Sequence, residues 1–112
     1  MDSDERMFEL WGMWFEGKIE MLPAHSIEEG QKLLNEHSDT EVIALSSFKV
    51  GNTALGPAFV KKNRPNFHGK MIAMSGHYIY QDELMDAGCD ISCEKADMPQ
   101  AVLDLVQQAS CW

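Results

Sequence analysis

Cysteine is scarce in these 112 residues: there are three, and no two are spaced for chemistry. Cys89 and Cys93 are separated by three residues, which fits neither the Cys-x-x-Cys redox motif nor half of a tetrahedral zinc site, and Cys111 stands alone near the end. A disulfide scaffold is therefore excluded, and reduced thiols in a cytoplasmic protein are expected. The histidines (His25, His37, His68 and His77) are scattered singly, without helical ligand spacing, so no metal centre is expected. Positive charge is also short. Nine Lys and Arg face eighteen Asp and Glu, a net charge of −9, and a phosphate backbone would be repelled. The basic cluster Lys61, Lys62, Arg64 and Lys70 reads as the solvated end of a helix, which argues against nucleic acid as a partner. No apolar run approaches the roughly 20 residues of a membrane helix. The opening "MDSDERMF" is acidic and lacks the basic-then-apolar order of a signal peptide. A cytoplasmic protein with no membrane partner is the expectation.

What the chain has is an alternation of helical and strand-like stretches. Residues 5–17, "ERMFELWGMWFEG", carry apolar side chains at 7, 8, 10, 11, 13, 14 and 15, a wide helical face closed by Gly17. A rival reading pairs this run with "KIEML" as a hairpin across "EGK". "KIEML" (18–22) alternates and reads as a strand ended by Pro23. Ser26 and Glu29 form the S-x-x-E capping box of the helix "SIEEGQKLLNEH". "EVIALSSF" (41–48) is a continuous apolar run, as in a strand covered on both faces. Gly51-Asn52-Thr53 turns the chain, and a helix runs from Pro57 to about Asn63. "KMIAMSG" (70–76) is a second buried strand, "YQDELMDAG" a short helix capped by Gly88, and "DISCEK" (90–95) a third, less apolar strand. "MPQAVLDLVQQAS" ends the pattern as a helix with Ala101, Val102, Leu105 and Val106 inward. Alternating helices and buried strands predict one three-layer α/β/α domain over residues 1–112, built on a parallel sheet. Residues 1–17 are its atypical, tryptophan-rich N-terminal segment.

In an open parallel sheet, reactive groups gather beyond the carboxyl ends of the strands. Those ends carry Ser46-Ser47, Ser75-Gly76 and Lys95. Hydroxyls and an ammonium at one rim suit an anion, since both donate hydrogen bonds and lysine adds charge. Small polar residues also end strands for no chemical reason. Ser46 or Ser47 as an enzyme nucleophile is disfavoured, because no G-x-S-x-G elbow surrounds them and no histidine is placed as base.

Residues 18 to 107 resemble the receiver domain of bacterial response regulators. "MIAMSG" is similar to the receiver's fourth strand, which ends in Ser or Thr. "AGCDISCEKA" is similar to "AGADDYLxKP", with Lys95 on the phosphate-contacting lysine. "EVIALSSF" matches the third strand, whose "DLILLD" carries the phosphoacceptor aspartate. The resemblance implies a flavodoxin-like, receiver-like sheet, and the departures from it are specific. Ser46 stands at the acceptor position, with Ser47 as the alternative one residue on, and serine cannot form an acyl phosphate. The switch aromatic corresponds to Ser92, and Ala96 replaces the proline after the lysine. The spacing from Ser75 to Ala87 implies a clipped fourth helix. The usual first strand, "ILVVDD", is missing or replaced, and Asp2 and Asp4 are the candidates for its acidic pair. A magnesium site loses most of its oxygen ligands by these changes.

The resemblance therefore implies a non-phosphorylatable, receiver-like signalling domain of the two-component phosphorelay type, with no cofactor and no enzyme activity. It would act through a protein partner: a signalling kinase, an effector or a second copy. By the same resemblance the partner face includes Tyr78, Tyr80, Ser92 and Glu94. The aromatic-rich start, with Trp11 and Trp14, suggests a homodimer contact, since Trp is enriched in interface cores; the other reading places these aromatics in the domain's own core. An alternative is a cobalamin-binding-like or other anion- or nucleotide-binding α/β module. "VIALSSF" and "SGHYIYQDEL" are similar to cobalamin domains, but no D-x-H-x-x-G loop accompanies them and His25 follows the wrong strand.

Overall fold

The computed structural model describes residues 1–2, 4–50, 53–75 and 77–110, without the side chains of residues 49, 50 and 108–110. Among them the elements run α1 (Glu5–Phe15), α2 (Ile27–Glu36), β1 (Val42–Leu45), β2 (Lys49–Val50), β3 (Thr53–Ala54), α3 (Leu55–Asn63), β4 (Lys70–Met74), α4 (Tyr78–Ala87), β5 (Ile91–Cys93) and α5 (Met98–Ser110). Single turns of 3₁₀ helix follow α3 (Arg64–Asn66) and precede α5 (Lys95–Asp97).

β1, β4 and β5 form a parallel sheet in the order β1-β4-β5. Val42 sits opposite Lys70 and Leu45 opposite Ala73, while Ile72 sits opposite Ile91. β2 and β3 make a separate antiparallel pair that leads directly into α3. Side chains alternate across the main sheet, as the pleat requires. Ile43, Leu45, Met71 and Ala73 pack with Phe59 and Val60 of α3 and Leu84 and Ala87 of α4. Ile72 and Met74 face the other way, onto Phe8, Trp11 and Phe15 of α1 and Met98 and Val102 of α5. The result is a three-layer α/β/α domain, with α1 and α5 on one face and α2, α3 and α4 on the other.

The helix ends follow local chemistry. Asp4 caps α1 by accepting from Arg6 N–H, and Ser26 caps α2 by accepting from Glu29 N–H at 3.1 Å. Gly88, at φ +135°, closes α4 with a backbone that L side chains rarely adopt. Arg64 ties the α3–β4 connection to the start of β5: it donates to Phe67 O (2.7 Å), Gly69 O (2.8 Å) and the Asp90 carboxylate (3.0 Å).

Several expectations need correction. The helix over residues 5–15 excludes the hairpin reading of the N-terminal run. "KIEML" is not a strand: residues 16–18 turn and 19–24 run without regular pairing, because a strand is defined by a neighbour and this one has almost none. α3 begins at Leu55, two residues before Pro57, and α4 at Tyr78 rather than Tyr80. β2 and β3 bracket the expected turn, of which Gly51 and Asn52 lie outside the described residues.

Residues 1–2 lie beside β1, where the end of the expected first strand would be. Met1 donates through its amino group to Ala44 O, and Ser46 N donates to Met1 O at 3.0 Å. That is the bonding pattern of a parallel bridge beside β1. On the other side Asp2 N donates to Ala24 O at 3.0 Å. Residues 1–2 thus lie between β1 and the irregular segment 19–24. The Met1 side chain fits against Gly30 of α2, where an added Cβ would lie 2.2 Å from Met1 Cε.

Candidate functional site

The carboxyl ends of β1, β4 and β5 and the stub at Met1–Asp2 share one rim. Ser46 follows β1 and is buried, as is Ser47. Behind them the backbone doubles back: Gly56 N donates to Ser47 O at 2.7 Å and Leu55 N to Phe48 O at 3.1 Å. A Cβ on Gly56 would lie 2.5 Å from Ser46 O, so the close approach requires glycine there. Phe48 adopts φ 49°, an uncommon conformation for a bulky residue, at the point where the chain leaves the rim. Ser75 follows β4 and is also buried; its N–H donates to Cys93 O, and its Oγ accepts from His77 N–H at 3.2 Å. Gln81 of α4 donates to both Ser75 O and Cys93 O, fastening the ends of β4 and β5 together. Gly76 lies outside the described residues.

Lys95 reaches across this rim. Its Nζ lies 2.7 Å from Oδ2 of Asp2, whose side chain is only 1% exposed. The contact is one of opposite charges; its angle is not that of a directed hydrogen bond, and Oδ2 has no other partner among the described residues. Oδ1 accepts from Asp4 N–H at 2.8 Å. The backbone of Lys95 is fixed from below, since Trp11 Nε1 donates to Lys95 O at 3.2 Å. The lysine is therefore held at both ends, by an indole and by a buried carboxylate.

Ser46, Ser75, Asp2 and Lys95 are gathered at one rim by this arrangement. Asp4 is not among them: it caps α1, and hydrogen bonds from the Arg6 side chain and backbone hold its carboxyl below the usual range. Of the two readings of the aromatic-rich start, Trp11 follows the core one, being 1% exposed, whereas Trp14 is 47% exposed. Tyr78 is 71% exposed, with its ring stacked on His77. Ser92 and Glu94 are exposed on β5 and just after it, and Tyr80 is half-buried. The Asp2–Lys95 pairing was not foreseen; the only signal in the sequence was that both residues were candidates for the same pocket.

The chemistry open to such a site is narrow. Among the described residues its hydroxyls are buried, its one cation is already paired, and its one buried carboxylate is the partner. Among the described residues no three His, Cys, Asp or Glu side chains are grouped to hold a metal ion. A magnesium site of the kind the receiver resemblance implies does not fit these residues. Burial pushes the Cys89 thiol up to about 12, helped by Asp90, and raises that of Cys93 as well, so neither is a reactive thiolate. Cys111 lies outside the described residues.

A second feature borders the stub. A cavity of about 420 Å³ runs between segment 18–24 and residues 39–44. Its walls come from both layers: Phe8, Trp11 and Phe15 on one side, Leu33, Leu34 and Phe59 on the other.

No protein-family model matches the chain, and no curated protein matches it. Among solved structures it is similar to the N-terminal domain of an uncharacterized protein from Wolinella succinogenes. The TM-score is 0.75 at 16% identity, over 97% of this chain and 88% of that one. Together with the parallel sheet, this likeness shows an α/β, flavodoxin-like fold. It is consistent with a receiver-like arrangement. Among the described residues no helix is long and apolar enough to cross a membrane.

Proposed function

We propose that the domain is a receiver-like signalling module of two-component type that is not switched by phosphorylation of its own and acts through protein–protein contact in the cytoplasm. The observation that carries this reading is the Asp2–Lys95 pair at a rim where serine stands at the acceptor position. By the resemblance, Lys95 stands at the position of the phosphate-contacting lysine. Here its charge is directed at an internal carboxylate, and Ser46 offers no carboxylate to phosphorylate. Both changes favour one fixed state of the rim.

The partner is a kinase, an effector or a second copy, meeting the exposed face that carries Tyr78, Ile79, Ser92 and Glu94. Neither Ser46 nor Ser47 is given a catalytic role. The test is incubation with magnesium and acetyl phosphate or beryllofluoride, followed by intact-mass measurement and by NMR of the rim residues. The expected result is no stoichiometric modification and no shift at Ser46, Ser75 or Lys95. Saturable modification of any residue would sink the reading.

A further inference from the structure

We infer that the outer side of α1 is a self-association surface, on which α1 of a second copy of this chain packs antiparallel about a two-fold axis. The inference does not depend on the signalling reading, and it uses the sheet face opposite the one that α4 covers. It begins with a helix that is apolar on two sides. At about 100° per residue, Phe8, Trp11 and Phe15 form the stripe turned to the sheet. Leu10 and Met13 fall on the opposite side, with Trp14 on its flank, and these three are 46%, 74% and 47% exposed. A helix that buries one stripe and exposes a second apolar one presents an interaction surface.

Charge selects the occupant. Arg6 lies one turn before Leu10, and Glu16 about one turn beyond Met13. Reversed on itself, the stripe sets Leu10 against Met13 of the second copy and Arg6 beside Glu16 of the second copy, twice over. Laid parallel, it would set Arg6 against Arg6 and Glu16 against Glu16. A two-fold contact needs a patch complementary to itself, and only the antiparallel arrangement supplies one. Within one copy these two charges stand about 15 Å apart along the helix axis, too far to pair.

Both ends of the helix suit this exchange. The Arg6 side chain is 90% exposed, and its contact with Asp4 at 3.4 Å is a surface pair of little worth. The last turn of α1 holds no basic residue to meet the negative end of the helix dipole. The space beside Gly17 is open among the described residues, so an arginine from a second copy can reach that end. With 11 residues α1 is only about 16 Å long. A strip of that length lies at the small end of the interface scale, so the association is weak and depends on concentration.

The experiment is sedimentation equilibrium of the 112-residue protein from about 10 μM to about 1 mM, where the mass should climb from that of one chain towards that of two. Met13→Glu should weaken association about tenfold. Arg6→Glu alone and Glu16→Arg alone should each weaken it about tenfold as well, because each sets like charges together. Mixed in equal amounts, those two variants should associate as tightly as the unaltered chain, since each copy then meets the opposite charge on the other. All three positions are exposed, and circular dichroism should show the fold unchanged in every variant. A single-chain mass at about 1 mM would overturn the contact. Association untouched by Met13→Glu would remove it from α1. A mixture no tighter than either variant alone would rule out the antiparallel pairing. A chain that stays single yet takes up a synthetic lysine–leucine amphipathic helix, and loses it on Met13→Glu, would give the stripe to a basic partner instead of a second copy.

Discussion

The two halves of this domain treat the same kind of sequence differently. In the C-terminal half, "KMIAM" becomes β4, flanked on both sides, with Met71, Ile72, Ala73 and Met74 fully buried. In the N-terminal half, "KIEML" alternates well enough to read as a strand yet lies as an irregular segment, with Leu22 38% exposed. The difference lies in neighbours rather than residues. β4 has β1 and β5 to bond with; segment 19–24 has one bond to Asp2 and a cavity. Strand structure is a property of pairs, and a propensity without a partner is not enough.

Core truncation should separate the halves most sharply. Leu84, fully buried between α4 and β4, should cost about 3 kcal/mol when changed to Ala, while Leu22→Ala should cost less than about 0.5 kcal/mol by chemical denaturation. Equal losses would break the contrast. Next in size is the bond that joins the halves across the rim. Lys95→Met leaves the Asp2 carboxylate buried without a counter-charge and should cost about 2 kcal/mol, less than a wholly buried pair because Lys95 is 35% exposed. Adding Asp2→Asn should recover most of that loss, as a double-mutant cycle would show.

A smaller effect is the pH dependence of the N-terminal half. Burial lowers the Met1 amino group from 8.0 to about 5, with Asp2 opposing and Lys95 assisting. The folded state therefore resists protonating an amine that the unfolded chain protonates below 8.0. Stability should rise with pH from about 5 to 8, by at most about 1.4 kcal/mol per unit. Denaturant midpoints at pH 6 and pH 7 would show it, and N-terminal acetylation, which removes the titration, should flatten it. Smallest is Arg64→Lys in the C-terminal half. It keeps the charge beside Asp90 but gives up the fork to Phe67 O and Gly69 O, for about 1 kcal/mol in thermal or denaturant melts.

How much of this was legible in the sequence varies with the range of the cause. The capping box at Ser26, the glycine closing α4 and the buried runs around Ile43 and Ile72 are local signals, and each appears where the residues imply it. The layer order followed from alternation. The face of α1 did not, because residues 7 to 15 are apolar nearly all round. Only packing selects Phe8, Trp11 and Phe15 as the inner stripe and leaves Leu10, Met13 and Trp14 outside, which is why Trp11 seemed available to a partner. At the rim, Ser46, Ser75 and Lys95 were legible as strand ends. The pairing of Lys95 with Asp2 was not, since it depends on where the first two residues lodge in the finished sheet.

The most direct measurement is residue-resolved amide hydrogen exchange along β1. If this strand has a full neighbour on one side only, Ile43 and Leu45 should exchange slowly with β4, and Val42 and Ala44 should exchange far faster. Uniform protection of all four amides would contradict the account, because it would mean that both edges of β1 are paired and that the two halves do not differ as described.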